Sequence, residues 1–123
     1  MKAFSDLEQS KKLAEILPLE SADMYWWSSG KRYYIEAIDD DDYDEDKDIR
    51  AWSLAALLEE MPEIINFDGD KSVYALEILK EGGLYYLSYG NLLGRSRLEI
   101  EPQECFVDTC YEMIIKLHEQ NLL

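Results

Sequence analysis

Apolar residues in this chain recur with two different periods, and the change of period marks out the elements. Leu7, Leu13, Ile16 and Leu17 fall at near-helical spacing ahead of Pro18. Ser5 and Glu8 form the S-x-x-E pattern of a capping box, and Phe4 stands where it can staple onto the first turn, so a helix is predicted to start behind Ser5. A second stripe, Leu54, Leu57, Leu58 and Met61, runs from Ser53, a good N-cap, to the terminator Pro62. A third helix is predicted to open at Pro102, whose missing N–H would be unpaired in a first turn anyway, and to run to about Glu119. Its inner face carries Phe106, Cys110, Met113, Ile114 and Leu117.

Between these stretches the period drops to two. "ADMYWW" and "KRYYIEAI" read as antiparallel strands joined by "SSGK", with Tyr33, Ile35 and Ala37 on one face and Tyr34, Glu36 and Ile38 on the other. Trp26 and Trp27, being neighbours on a strand, cannot both enter one core. After "EIINF" and the turn "DGDK", the segments "VYALEILKE" and "LYYLSYGN" flank a Gly-Gly turn as the clearest hairpin, with Tyr85, Leu87 and Tyr89 opposed to Leu84 and Tyr86. "RSRLEIE" reads as a short edge strand. Strands joined by tight turns, without β-α-β-α alternation, argue against a parallel nucleotide-binding sheet. The prediction is an α+β fold: an antiparallel sheet of four to six strands with about three helices packed on it, in a single domain spanning residues 1–123.

Charge changes the picture. The chain has 27 acidic and 12 basic residues, a net −15, and the segment "DDDDYDEDKD" at 39–48 carries −7 of it. Acids at that density repel one another and offer nothing apolar to bury, so the segment is expected to be a mobile, solvated loop. A field of this sign repels nucleic-acid phosphates and anionic membranes and attracts basic proteins; direct nucleic-acid and membrane binding are therefore not expected. "MKAFSDLEQSKK" turns polar too early for a signal peptide, and no run approaches the roughly 20 apolar residues of a membrane span. Cys105 and Cys110, five apart in one predicted helix, would sit ~7.5 Å apart along its axis and point about 140° apart, too divergent to bridge. Unbridged cysteines without an export signal fit a cytoplasmic protein.

The candidate chemistry is thin. A calcium loop begun at Asp40 places Glu45 where Gly is needed and Ala51 where the bidentate Glu is needed; begun at Asp42, it places Lys47 and Ser53 there. "FDGDKS" has too few carboxylates, so no metal ligands are assigned and no cofactor is expected. The single histidine, His118, lies eight residues from Cys110, beyond the reach of a pair on one helix turn. Neither G-x-S-x-G nor a phosphate-cradling glycine loop occurs: "EGGLYY" is turn chemistry and "YGNLLGR" lacks the P-loop lysine.

At "IRAWSLAALLEEMPEII" and "FVDTCYEMIIKLHEQNLL" the sequence resembles small uncharacterised proteins encoded by phages and mobile elements of gut bacteria. Their pattern pairs an "AWSLAALLE–P" helix with a tyrosine-rich hairpin and a closing helix carrying D-x-x-x-x-M, matched here by Asp108 and Met113. The resemblance covers about half the chain and implies a mobile-element origin without a known activity; the acidic segment is no part of the pattern.

The functional expectation is a non-catalytic interaction module for a basic protein. Its binding residues would be Trp27, Tyr33 and Tyr34 with Asp39, Asp40, Asp41 and Asp42, aromatic groups beside acids being frequent in protein-binding surfaces. Two alternatives stand beside it. One is a DNA mimic or immunity protein that neutralises a basic nuclease or toxin. The other is a small enzyme working through carboxylates, with Asp108 or Glu112 as candidates. Nothing in the sequence sets an oligomeric state.

Overall fold

Three α-helices and seven short strands follow one another along the chain in the computed structural model, which describes residues 2–38, 43–67, 69–91 and 94–123. The chain forms two compact units, Met1–Glu60 and Met61–Leu123. The α+β expectation holds, with antiparallel pairing throughout. The strands belong to two sheets, of three and four strands, where one sheet was expected.

In the first unit, α1 (Leu7–Leu13) is capped by Asp6 and not by Ser5. The Asp6 carboxylate accepts from the Gln9 N–H at 2.8 Å, and the Gln9 side chain accepts from the Asp6 N–H at 3.1 Å, a capping box one residue later than predicted. Ser5 is unavailable for capping because its buried hydroxyl meets Ser10 Oγ at 2.7 Å and accepts from the Trp52 N–H at 3.0 Å. Strands β1 (Met24–Ser28), β2 (Tyr33–Ala37) and β3 (Ile49–Ala51) form the sheet in the order β2-β1-β3. Strand β3 was not foreseen. It follows the acidic segment and returns the chain to the free edge of β1, where α1 packs against it. Helix α2 (Leu54–Glu60) starts as predicted at Ser53, whose hydroxyl accepts from the Ala56 N–H at 3.2 Å and is itself bound by Asp23. Leu13, Tyr25, Ala51, Trp52 and Leu57 are buried. Each fully buried leucine contributes about 1.5–3 kcal/mol relative to exposure.

In the second unit, β4 (Ile64–Ile65), β5 (Tyr74–Glu81), β6 (Leu84–Gly90) and β7 (Ser96–Glu99) form a sheet in sequence order, with β7 at an edge as expected. Gly82 and Gly83, at φ 61° and 80°, close the β5–β6 hairpin. Two successive positive φ values are why glycine stands at both positions. Helix α3 (Phe106–Glu119) starts four residues later than Pro102 suggested. Gln103 is still extended there, exchanging backbone hydrogen bonds with Tyr85 at 2.8 and 3.3 Å, and those bonds hold the segment out of the helix. Cys105 therefore sits at the N-cap and Cys110 inside the helix; both are free thiols. Cys110, Met113, Ile114 and Leu117 are fully buried as the stripe predicted, while Phe106 is half-buried and stacks on Tyr85 at 4.6 Å. The α3 helix packs against β6.

Candidate functional site

The β1–β2 hairpin organises a place where aromatic rings and carboxylates of the first unit converge on open space. Its register follows from the turn. The Ser29 N–H donates to Arg32 O at 3.0 Å, and at the far end the Ile38 N–H donates to Asp23 O at 3.0 Å. Hydrogen-bonded pairs alternate in an antiparallel ladder, so Trp27/Tyr34 and Tyr25/Glu36 are the hydrogen-bonded pairs between those ends. Directly opposed residues share a face. Trp27 accordingly stacks on Tyr34, with centroids 4.7 Å apart and planes 25° apart, and the Tyr25 hydroxyl donates to Glu36 Oε2 at 3.0 Å.

The second half of the acidic segment folds over that face. The Asp48 N–H donates to Asp44 O at 2.8 Å, Asp44 Oδ1 accepts from the Asp46 N–H at 2.9 Å, and Asp48 Oδ2 accepts from the Asp44 N–H at 2.9 Å. Tyr43 anchors this turn. Its ring meets Tyr25 edge-on at 5.4 Å, and the Arg50 guanidinium lies over it at 4.7 Å while bonding Glu45 at 2.8 Å. Partial burial pushes the Tyr43 hydroxyl above its ordinary pKa, with Arg50 opposing the shift. Between the turn and the hairpin lies an open cleft of about 680 Å³, lined by Tyr25, Trp27, Glu36, Asp44, Lys47 and Asp48. Three carboxylates against one ammonium give it a negative balance. The Trp27 indole N–H is buried beside it with no hydrogen-bond partner among the described residues.

Trp27 and Tyr34 are thus brought together, Tyr34 remaining 40% exposed. Tyr33 is 48% exposed but alternation puts it on the opposite face, away from the cleft. Asp39, Asp40, Asp41 and Asp42 lie outside the described residues. Sequence reasoning missed Tyr25, Asp44 and Asp48 as cleft residues. Tyr25 opposite Glu36 could have been read by counting back from the turn, whereas the fold of 43–48 depends on Tyr43 and Arg50 meeting across the sheet. Trp26, on the other face, donates from its indole N–H to Ser5 O at 3.0 Å and packs edge-on against Phe4 at 5.7 Å.

The residues considered for catalysis lie on α3. In the second unit Glu112 lines an open cleft of about 710 Å³ together with Glu101, Gln103, Lys116 and Glu119, but Asp108 is not among its lining residues. Burial pushes the Cys110 thiol up to about 12, and His118 is exposed. Among the described residues no three His, Cys, Asp or Glu side chains are placed to hold a metal ion, and no helix is long and apolar enough to cross a membrane. No protein-family model, curated protein or solved structure matches the chain.

Proposed function

We propose that the chain is a non-catalytic interaction module that docks a basic protein in the cleft of the β1–β2 hairpin. The observation that carries this reading is the Trp27–Tyr34 stack standing beside Glu36, Asp44 and Asp48. A lysine or arginine entering there would meet aromatic faces and carboxylates together, and cation–π and charge-assisted contacts reinforce each other where water is partly excluded. Trp and Tyr are also the side chains that most often dominate binding energy at protein interfaces. The whole-chain charge of −15 draws a basic partner from a distance and repels nucleic acid. A toxin or nuclease with a basic surface falls within this class of partner, in keeping with the mobile-element origin included in the proposal.

The test is titration of a fluorescently labelled oligo-arginine peptide at low and high salt. Binding should weaken with salt and fall about tenfold in Asp44→Asn/Asp48→Asn, which retains acceptor oxygens for the turn, and again in Trp27→Ala. Equal affinity of these variants and the parent chain would overturn the reading.

A further inference from the structure

We propose that β2 is the docking edge itself: an extended basic segment of the partner adds to the sheet as a fourth strand, alternating basic and apolar side chains. The inference rests on the reading above and supplies its geometry. Strand β2 ends the order β2-β1-β3, and among the described residues nothing pairs with its outer side. Since Trp27/Tyr34 and Tyr25/Glu36 are the hydrogen-bonded pairs, the N–H and C=O groups of Tyr33, Ile35 and Ala37 point outward from the sheet. Natural edges are usually blunted by proline, lysine or a bulge. The stretch "YYIEA" has neither residue, and its register with β1 is regular.

The two faces then dictate the pattern of the incoming strand. Its side chains on the Tyr34–Glu36 face lie one strand spacing, about 4.8 Å, from that pair, within reach of the cleft for a lysine or arginine. Alternate side chains fall beside Tyr33, Ile35 and Ala37, where apolar residues fit. Charge selects the occupant. A second copy of this chain would bring a second −15 and a second acidic segment to the same edge, whereas a basic segment is drawn to it. Strand addition supplies affinity through the main chain and specificity through alternate side chains.

The experiment uses a peptide alternating arginine and valine, about seven residues long to match an edge strand. Two further forms are N-methylated on every valine or on every arginine. In antiparallel addition the valine N–H groups face β2, so methylating them should lower affinity at least about tenfold, while methylating the arginines leaves it unchanged. Loss confined to the arginine-methylated form would mark parallel addition to the same edge. In the protein, Ile35→Pro removes one outward donor and leaves the bonds to β1 in place; it should lose binding similarly while tryptophan fluorescence shows the hairpin intact. Should that variant fail to fold, the methylated peptides decide. If both methylated forms bind like the parent peptide, strand addition is wrong and charge-driven docking in the cleft survives. If the parent peptide does not bind at all, both readings fall. A dimer in sedimentation that Ile35→Pro abolishes would assign the edge to a second copy and overturn the proposal.

Discussion

Ser5→Ala separates two accounts of the amino terminus. If Ser5 were the N-cap of α1, its loss would cost about 1 kcal/mol, the usual value for a capping hydroxyl, and Asp6→Ala would be nearly neutral. The structure gives the cap to Asp6 and a larger task to Ser5, so both losses grow. Ser5 Oγ is buried between the Trp52 N–H at 3.0 Å and Ser10 Oγ at 2.7 Å, tying the segment before α1 to the segment after β3. Truncation strands a fully buried backbone N–H and costs Ser10 its best partner, leaving only Ser5 O at 3.4 Å. An unsatisfied buried group costs about 1–3 kcal/mol, so the pair comes to about 2–4 kcal/mol. Asp6→Ala loses the cap and the half-exposed Lys2 ion pair at 3.0 Å, together about 1–1.5 kcal/mol. The assay is urea unfolding followed by tryptophan fluorescence, because Trp26, Trp27 and Trp52 all belong to the first unit. With a slope of about 1.5 kcal/mol per molar, Ser5→Ala should lower the midpoint by about 1.3–2.7 M at unchanged slope. Ser5→Ala/Ser10→Ala should cost less than the two singles summed, since they share one hydrogen bond. A loss of only about 1 kcal/mol for Ser5→Ala beside a nearly neutral Asp6→Ala would restore Ser5 as the cap and refute the reasoning.

Other expectations follow from single side chains. Trp27→Phe removes a buried donor that has no partner among the described residues, so the gain offsets much of the lost ring area; Trp26→Phe gives up the bond to Ser5 O and should destabilise more in the same urea assay. An aromatic disulfide reagent at mildly alkaline pH should label the half-buried Cys105 in the folded chain and spare Cys110, whose thiol burial holds near 12, with both reacting in denaturant. The Tyr89 hydroxyl, donating to Pro62 O at 2.7 Å, is also pushed up to about 12 by burial, against 10.0 for the free side chain. Its folded pKa lies above the unfolded one, so its contribution is complete below about pH 10 and disappears as pH rises toward 12. Tyr89→Phe should flatten that part of an alkaline stability profile, the Cys110 share remaining.

The elements that could be read from the sequence are those whose signal is local. The Gly-Gly hairpin, the Ser53 cap and the α3 stripe each carry turn, cap or period within a few residues, and the structure uses them as read. Misreadings occur where a tertiary contact chooses between two local options. S-x-x-E at Ser5 and D-x-x-Q at Asp6 are both acceptable capping boxes, and the distant Trp52 N–H decides by taking the Ser5 hydroxyl. Pro102 suits a helix start, yet the Tyr85 bridge keeps Gln103 extended. Strand β3 has only three residues, too few to show alternation, and it exists because β1 offers an edge. The site divides the same way. Alternation places Tyr34 and Glu36 together, but Asp44 and Asp48 reach the cleft only through the Tyr43–Arg50 contact, which no spacing along the chain announces.

The described acids of 43–48 also have different tasks, which a charge count hides. Glu45 is paired with Arg50, and that pair holds Tyr43 in place. Asp44 and Asp48 use one oxygen each to accept backbone N–H groups of their own turn, so the carboxylates are fixed beside the aromatic pair before any partner arrives. Fixed charge of one sign lowers stability through mutual repulsion, and the cleft's single ammonium, Lys47, offsets only part of it. A chain selected for stability alone would gain by neutralising Asp44 or Asp48, since asparagine keeps the acceptor oxygen without the charge. With both present the cost falls where a cation would remove it: under the proposed function, docking would relieve the repulsion and spend little on ordering the turn, as in preorganised sites.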